Sequence, residues 1–264
     1  MIIDLSGRKA VVTGSTGGIG RAIAEGLARA GAAVVINGRG EARVNAAVAE
    51  MREMFPKADI RGVVADVSTS QGAAALIAGA EETDILINNA GTARPKPFAE
   101  ITDEDWLDLF QFNVMSGVRM TRRHLPRMVE RGWGRVVFIS SESAVNIPKE
   151  MIDYGMTKTA QLAISRGLAE SVAGTGVTVN AVLPGPTRSE SLIGWMSAIA
   201  KSQGITVEEA EAQFLKTMRP TSLIHRFATT EEVANMVVYV CSDQASATSG
   251  AALRVDGGVV RFVA

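Results

Sequence analysis

Tyr154 and Lys158 stand four residues apart in Y-G-M-T-K, a spacing that sets both side chains on one face of a helix. A phenol beside an ammonium can exchange a proton near neutral pH. With about 4 Å between them and an effective dielectric of about 20, the attraction is worth about 4 kcal/mol, or about three pKa units on a tyrosine that starts near 10. On that expectation Tyr154 is a general acid tuned by Lys158. The same pair on an open helix face would be an ordinary solvated contact.

A second group of residues has the chemistry to hold phosphates. Thr13, Gly14, Ser15, Thr16, Gly17, Gly18, Ile19 and Gly20 read T-G-S-T-G-G-I-G, directly after an apolar run and directly before a helical pattern over 21–30. Glycines let the chain turn sharply and bring backbone N–H groups close to a pyrophosphate, while the new helix adds unsatisfied donors and the positive end of its dipole. That position between strand and helix is what gives a glycine-rich turn its meaning. About twenty residues on, I-N-G-R places Gly38 and Arg39 where a carboxylate would hold a free ribose. A guanidinium there favours a 2′-phosphate, hence NADP(H), with NAD(H) as the second candidate. Asp66, at the end of the third strand pattern, can accept from an adenine amine or cap the helix that follows.

These residues need a scaffold, and the sequence offers one. Short β-branched runs recur at 9–13, 33–37, 60–65, 85–88, 135–139, 177–182 and 253–255, separated by stretches long enough for helical crossovers. Seven such strands predict a parallel sheet covered on both faces, an α/β doubly wound fold of the Rossmann type. No linker, repeat or charge run divides the series, so residues 1–264 are expected to form one domain. The irregular stretch 189–221, holding two short helical patterns at 192–201 and 207–217, is expected to be a lid over the substrate.

Composition narrows the function classes. Hydrophobic residues make up 47% of the 264 and charged residues 21%, and 27 Lys and Arg against 28 Asp and Glu leave a net charge of −1. No basic field exists to hold nucleic acid or an anionic membrane. The single Cys241 lies in the apolar run M-V-V-Y-V-C, which reads as buried and fits a reducing cytosol. The start M-I-I-D-L-S-G-R lacks the pattern of an export signal, and no apolar run approaches 18 residues. A cytoplasmic protein is expected. His124 and His225 are the only histidines and G-x-S-x-G is absent, which argues against a Ser-His-Asp hydrolase. No His, Cys and acidic residues stand at ligand spacing, so no metal is expected.

In this order the motifs resemble the short-chain dehydrogenase/reductase family over almost the whole chain. Its glycine motif is similar to 13–20, its N-N-A-G to Asn88, Asn89, Ala90 and Gly91, and its helix asparagine to Asn113 in F-Q-F-N-V. Its catalytic serine resembles Ser141 in F-I-S-S, and its Y-x-x-x-K is Tyr154 to Lys158. N-A-V-L-P-G-P-T and V-D-G-G complete the series. The resemblance implies catalytic roles for Asn113, Ser141, Tyr154 and Lys158. It implies cofactor contacts from Gly14, Ser15, Thr16, Gly18, Ile19, Gly20, Arg39, Asp66, Val67, Asn88, Ala90, Gly91, Tyr154, Lys158, Pro184, Gly185 and Thr187. Two positions depart from it: Gly17 stands where many NADP(H)-preferring members carry a basic residue, and Thr187 where many have Val or Ile.

The reaction so implied is hydride transfer between a nicotinamide cofactor and a carbonyl or secondary alcohol. Negative charge appears on the substrate oxygen, so a proton donor and a hydrogen-bond donor are needed there. Tyr154 and Ser141 are expected to supply them; Asn113 either anchors a water relay to Lys158 or pairs with backbone. A dinucleotide sensor that has lost turnover is the alternative on the same fold. Trp195, Met196, Ile199, Met218 and Met151 are candidates for an adaptable pocket wall, or for packing of the lid on itself. By the same resemblance, two long helical stretches at 118–131 and 155–173 and the apolar tail V-V-R-F-V-A imply a homotetramer, or a homodimer.

Overall fold

The apolar runs are short and β-branched, and in the computed structural model, which describes residues 2–263, they form one all-parallel sheet. Its strands are β1 (Lys9–Val12), β2 (Ala33–Gly38), β3 (Ile60–Val64), β4 (Ile85–Asn88), β5 (Gly134–Ile139), β6 (Val177–Pro184) and β7 (Ala252–Val255). They lie side by side in the order β3-β2-β1-β4-β5-β6-β7. Val11 of β1 faces Val35 on one side and Leu86 on the other. The strand order reverses between β1 and β4, and ligands of such sheets bind beyond the carboxyl ends at that reversal.

Between the strands run α1 (Gly18–Arg29), α2 (Glu41–Met54), α3 (Ser70–Gly79), α4 (Asp103–Phe110), α5 (Ser116–Glu130), α6 (Ile152–Ser171), α7 (Glu190–Gln203), α8 (Val207–Met218) and α9 (Thr230–Val240). Successive residues of a strand point to opposite faces, and the core divides accordingly. Val12, Ile36 and Ile87 pack with Ile23, Leu27, Met51 and Val237 from α1, α2 and α9. Val11, Leu86 and Phe138 pack with Leu76, Met120 and Leu125 from α3 and α5. Among the described residues no helix is long and apolar enough to cross a membrane.

Three local features set the rims of the site. Between α4 and α5 the helix widens into one π turn, Gln111–Met115, a distortion often found at functional sites. β6 runs past 182 to Pro184 because β7 stays paired with it as far as Val255. The helix after β3 begins at Ser70 and is capped by Thr69, whose Oγ1 accepts the Gly72 N–H at 3.0 Å. Asp66 is therefore not that cap; its Oδ1 accepts the Ser68 N–H at 3.0 Å.

Candidate active site

The turn after β1 is held from the neighbouring strand. Thr13 Oγ1 accepts the N–H groups of Asn89 and Ala90, each at 2.9 Å, and Asn89 Nδ2 donates to the carbonyls of Thr13 and Gly14 at 2.9 and 3.0 Å. Gly18 takes a left-handed φ of 57°. At Gly20 an added Cβ would lie 2.4 Å from Asn89 Nδ2, so only glycine lets the turn close on that amide. Gly17 at the N-cap of α1 offers no side chain to the first N–H groups, which leaves donors and the dipole's positive end for an anion.

Arg39 lines the same cleft, its guanidinium 5.5 Å from the Phe112 ring centroid, and it has no carboxylate partner among the described residues. Arg43, in the first turn of α2, pairs with Glu190 of α7 at 3.0 Å. An added Cβ on Gly17 would lie 2.9 Å from Glu190 Oε1 and 3.1 Å from Arg43 Nη2. A second guanidinium thus stands near Gly17, where many NADP(H)-preferring members carry a basic residue.

Ser141, Tyr154 and Lys158 open onto the cleft that holds the glycine turn, a cavity of about 760 Å³. Ser141 follows the end of β5, and its Oγ accepts the Ser143 N–H at 3.1 Å. Lys158 Nζ donates to the Ile139 carbonyl at 2.9 Å and to Gln161 Oε1 at 3.3 Å, and Gln161 Nε2 donates to the Asn113 carbonyl at 2.6 Å. The Asn113 side chain pairs with the N–H and carbonyl of Thr92 at 2.8 and 2.9 Å and with Thr157 Oγ1 at 3.0 Å. Asn113 is buried and does not line the cleft; its side chain is taken up by Thr92 and Thr157. Gln161, unmarked in the sequence, joins it to Lys158.

The electrostatics differ from the expectation drawn from spacing alone. Lys158 Nζ lies 5.6 Å from the Tyr154 ring centroid, and burial is the leading influence on both groups. Burial pushes the Tyr154 phenol up to about 12, with the Ser141 hydroxyl pulling it back, and pushes the Lys158 ammonium down to about 7. On these shifts Tyr154 is the proton-bearing group of the pair, and Lys158 is the one brought toward releasing its proton.

Thr16, Ile19, Val67, Gly91, Pro184, Gly185 and Thr187 line the cleft as well. Thr187 is fixed by its Oγ1 bond to the Gly185 carbonyl at 2.9 Å and by pairing with Ala228. Ser15, Asp66 and Asn88 do not line it. Ser15 bonds the Val12 carbonyl at 2.6 Å, and Asn88 Nδ2 bonds Thr121 Oγ1 at 3.0 Å, so both brace the strand ends. At the far end stand Met151, Leu192, Trp195, Phe214, Glu142 and Arg219. Trp195 and Phe214 meet edge to face at 5.7 Å. Met196 is fully buried, and neither it, Ile199 nor Met218 reaches the cleft. His225 is exposed outside it with φ 52°, and His124 is buried in α5. The Cys241 thiol is buried and pushed up to about 12 by burial. Among the described residues no group of three or more His, Cys, Asp or Glu could hold a metal ion.

Known proteins resemble this chain over its whole length. A family model described as enoyl-(acyl carrier protein) reductase matches residues 14–260. An uncharacterised oxidoreductase of Bacillus subtilis, YvaG, is 47% identical over 263 residues, covering 100% of both chains. The 3-oxoacyl-[acyl-carrier-protein] reductase of Aquifex aeolicus is 34% identical, covering 98% of this chain and 100% of its own. Among solved structures, L-sorbose reductase from Gluconobacter frateurii, complexed with NADPH and L-sorbose, superposes with a TM-score of 0.95 at 33% identity, covering 100% of both chains. With the sheet order, the glycine turn and the Ser141, Tyr154 and Lys158 cleft, these likenesses establish that the chain belongs to the short-chain dehydrogenase/reductase family of oxidoreductases.

Proposed function

We propose that the protein is an NADP(H)-dependent reductase of small carbonyl compounds, reversible toward the secondary alcohol. One observation carries the reading: a phosphate-binding turn and a proton-bearing Tyr154, with Ser141 and Lys158, share one cleft. The residues fit the dinucleotide. The free N-terminus of α1 would hold the pyrophosphate, Arg39 with Arg43 a 2′-phosphate, Lys158 the nicotinamide ribose, and the Thr187 backbone the carboxamide. When bound, the nicotinamide supplies the hydride in reduction and accepts it in oxidation. Tyr154, protonated at neutral pH, gives its proton to the carbonyl oxygen, and the Ser141 hydroxyl steadies the charge developing there. Lys158, held by Ile139 and Gln161, stands behind the phenol as the group that returns the proton. In oxidation the protons run the other way: a neutral Lys158 takes the phenol proton as Tyr154 accepts that of the alcohol.

The relatives' printed activities, on an acyl-carrier thioester and on a ketose, both concern carbonyl compounds and support that class. The test is dinucleotide consumption, followed by absorbance, across ketones, diones and ketoses with NADPH and with NADH. Turnover with NADPH favoured, and that preference weakened in Arg39→Ala, is the expected result. Dinucleotide binding without turnover on any carbonyl or alcohol would instead favour a sensor.

The segment 189–221 serves as the lid, since it brings Leu192, Trp195, Phe214 and Arg219 to the cleft from α7, α8 and the turn beyond. The working form is a homotetramer. Ile147, Ile152, Met156, Ala160 and Ala163 form an apolar hollow along α6, and Phe98, Leu107 and Phe262 are exposed elsewhere, which is costly for a single chain in water.

A further inference from the structure

The far end of the cleft is mostly apolar, yet it contains a buried ion pair that the proposed chemistry does not use. Glu142, the residue after Ser141, is 3% exposed, and Arg219, at the end of the lid, is 6% exposed; both line the cleft. Arg219 Nε donates to Glu142 Oε1 at 2.7 Å, and its Nη1 donates to the Met218 carbonyl at 2.8 Å and lies 3.4 Å from Glu150 Oε1. These bonds leave Nη2 unused. On the other side of the pair, Glu142 Oε2 is buried with no hydrogen-bond partner.

A buried ion pair is a poor device for stability, because well-packed apolar groups of similar size do as well or better. A buried carboxylate oxygen without a donor is costlier still, and such an exception calls for a ligand or a function. The Tyr154 phenol feels both charges, the Glu142 carboxylate raising its pKa and the Arg219 guanidinium lowering it. The pair therefore lies within electrostatic reach of the proposed proton donor.

We infer that Glu142 Oε2 and Arg219 Nη2 form a subsite for a hydroxyl group of the substrate close to the reacting carbonyl, so that the protein selects uncharged hydroxyketones and their polyols. A hydroxyl is the group that suits both atoms at once, donating to the carboxylate and accepting from the guanidinium. Glu142, Glu150 and Arg219 together carry a net charge of −1, which opposes a substrate carboxylate or phosphate at that place. A plain ketone would leave both atoms unpaired beside a buried ion pair, a form of rejection stronger than the loss of a methylene contact.

This inference rests on the carbonyl-reductase reading, and one set of measurements separates the two. The purified protein is assayed with NADPH against matched neutral hydroxyketones, the deoxyketones lacking that hydroxyl, and 3-oxo carboxylates of the same length. The expected result is a kcat/KM for the hydroxyketones at least on the order of tenfold above both other classes. In Glu142→Gln and in Arg219→Lys the ratio of hydroxyketone to deoxyketone should fall toward unity, chiefly through KM. A substitution that only loosened the lid would lower both values and keep their ratio, which would overturn the subsite. Wild-type protein that reduces deoxyketones or oxo carboxylates as well as hydroxyketones also overturns it, while leaving the reductase reading intact. Absence of turnover on all three classes overturns both.

Discussion

Lys158 is the group of the pair that burial brings toward neutral pH. Burial holds its ammonium down to about 7, while Tyr154 at about 12 stays protonated. The charged lysine is the form present below its pKa, so the rate of carbonyl reduction should be highest below about pH 7 and fall as pH rises through it. The pH profile of kcat in the reductive direction checks this, and a profile flat from about pH 6 to about pH 9 would contradict it. The Y-x-x-x-K spacing made this pair legible in the sequence. The sign of the Tyr154 shift was not, because it depends on how far β5, α6 and the π turn bury both groups. Gln161 and Arg219 escaped for the same reason: each gains meaning only from what the fold sets beside it, Gln161 from the Asn113 carbonyl and Arg219 from Glu142.

At the scale of elements, the turn between β1 and α1 is the most tightly built. Gly20→Ala would put a methyl carbon 2.4 Å from Asn89 Nδ2 and 2.5 Å from the Gly14 carbonyl oxygen. We expect a loss of stability of about 1–3 kcal/mol from the forced shift, together with weaker NADPH binding; thermal melts and a fluorescence titration read the two effects. α5 carries a different liability. His124 is buried with neither ring nitrogen paired, and burial, reinforced by Arg123, Arg127 and Arg131, pushes its pKa down to about 4. The unfolded imidazole titrates near 6.5, so the native state is fully favoured above that value and loses stability as pH falls from about 6.5 toward 4, by roughly 3 kcal/mol at most. Urea unfolding of wild type and His124→Leu at about pH 7 and about pH 5 should show a smaller acid loss in the variant. An equal loss in both would refute the assignment. The strands and crossover helices were legible because apolar runs and helical patterns alternate cleanly. The π turn at Gln111–Met115 was not, since F-Q-F-N-V carries an ordinary helical pattern.

For the whole molecule, the reversal of strand order between β1 and β4 gathers residues from 14 to 219 at one end of the sheet. That convergence could be expected from the order of strands and helices, whereas the depth of the cleft and its polar far end required the lid's placement. Apolar surface along α6 remains uncovered in the single chain, and light scattering should return about four times 27.8 kDa; a monomer at micromolar concentration would refute the tetramer. Everything proposed for this cleft depends on the Tyr154 hydroxyl as the proton source. The most direct test is therefore the kcat/KM of NADPH-dependent carbonyl reduction in Tyr154→Phe against wild type. A fall of roughly 10²–10⁴-fold is predicted, the usual worth of a positioned general acid. A Tyr154→Phe protein that consumes NADPH with a ketone at the wild-type rate would contradict it.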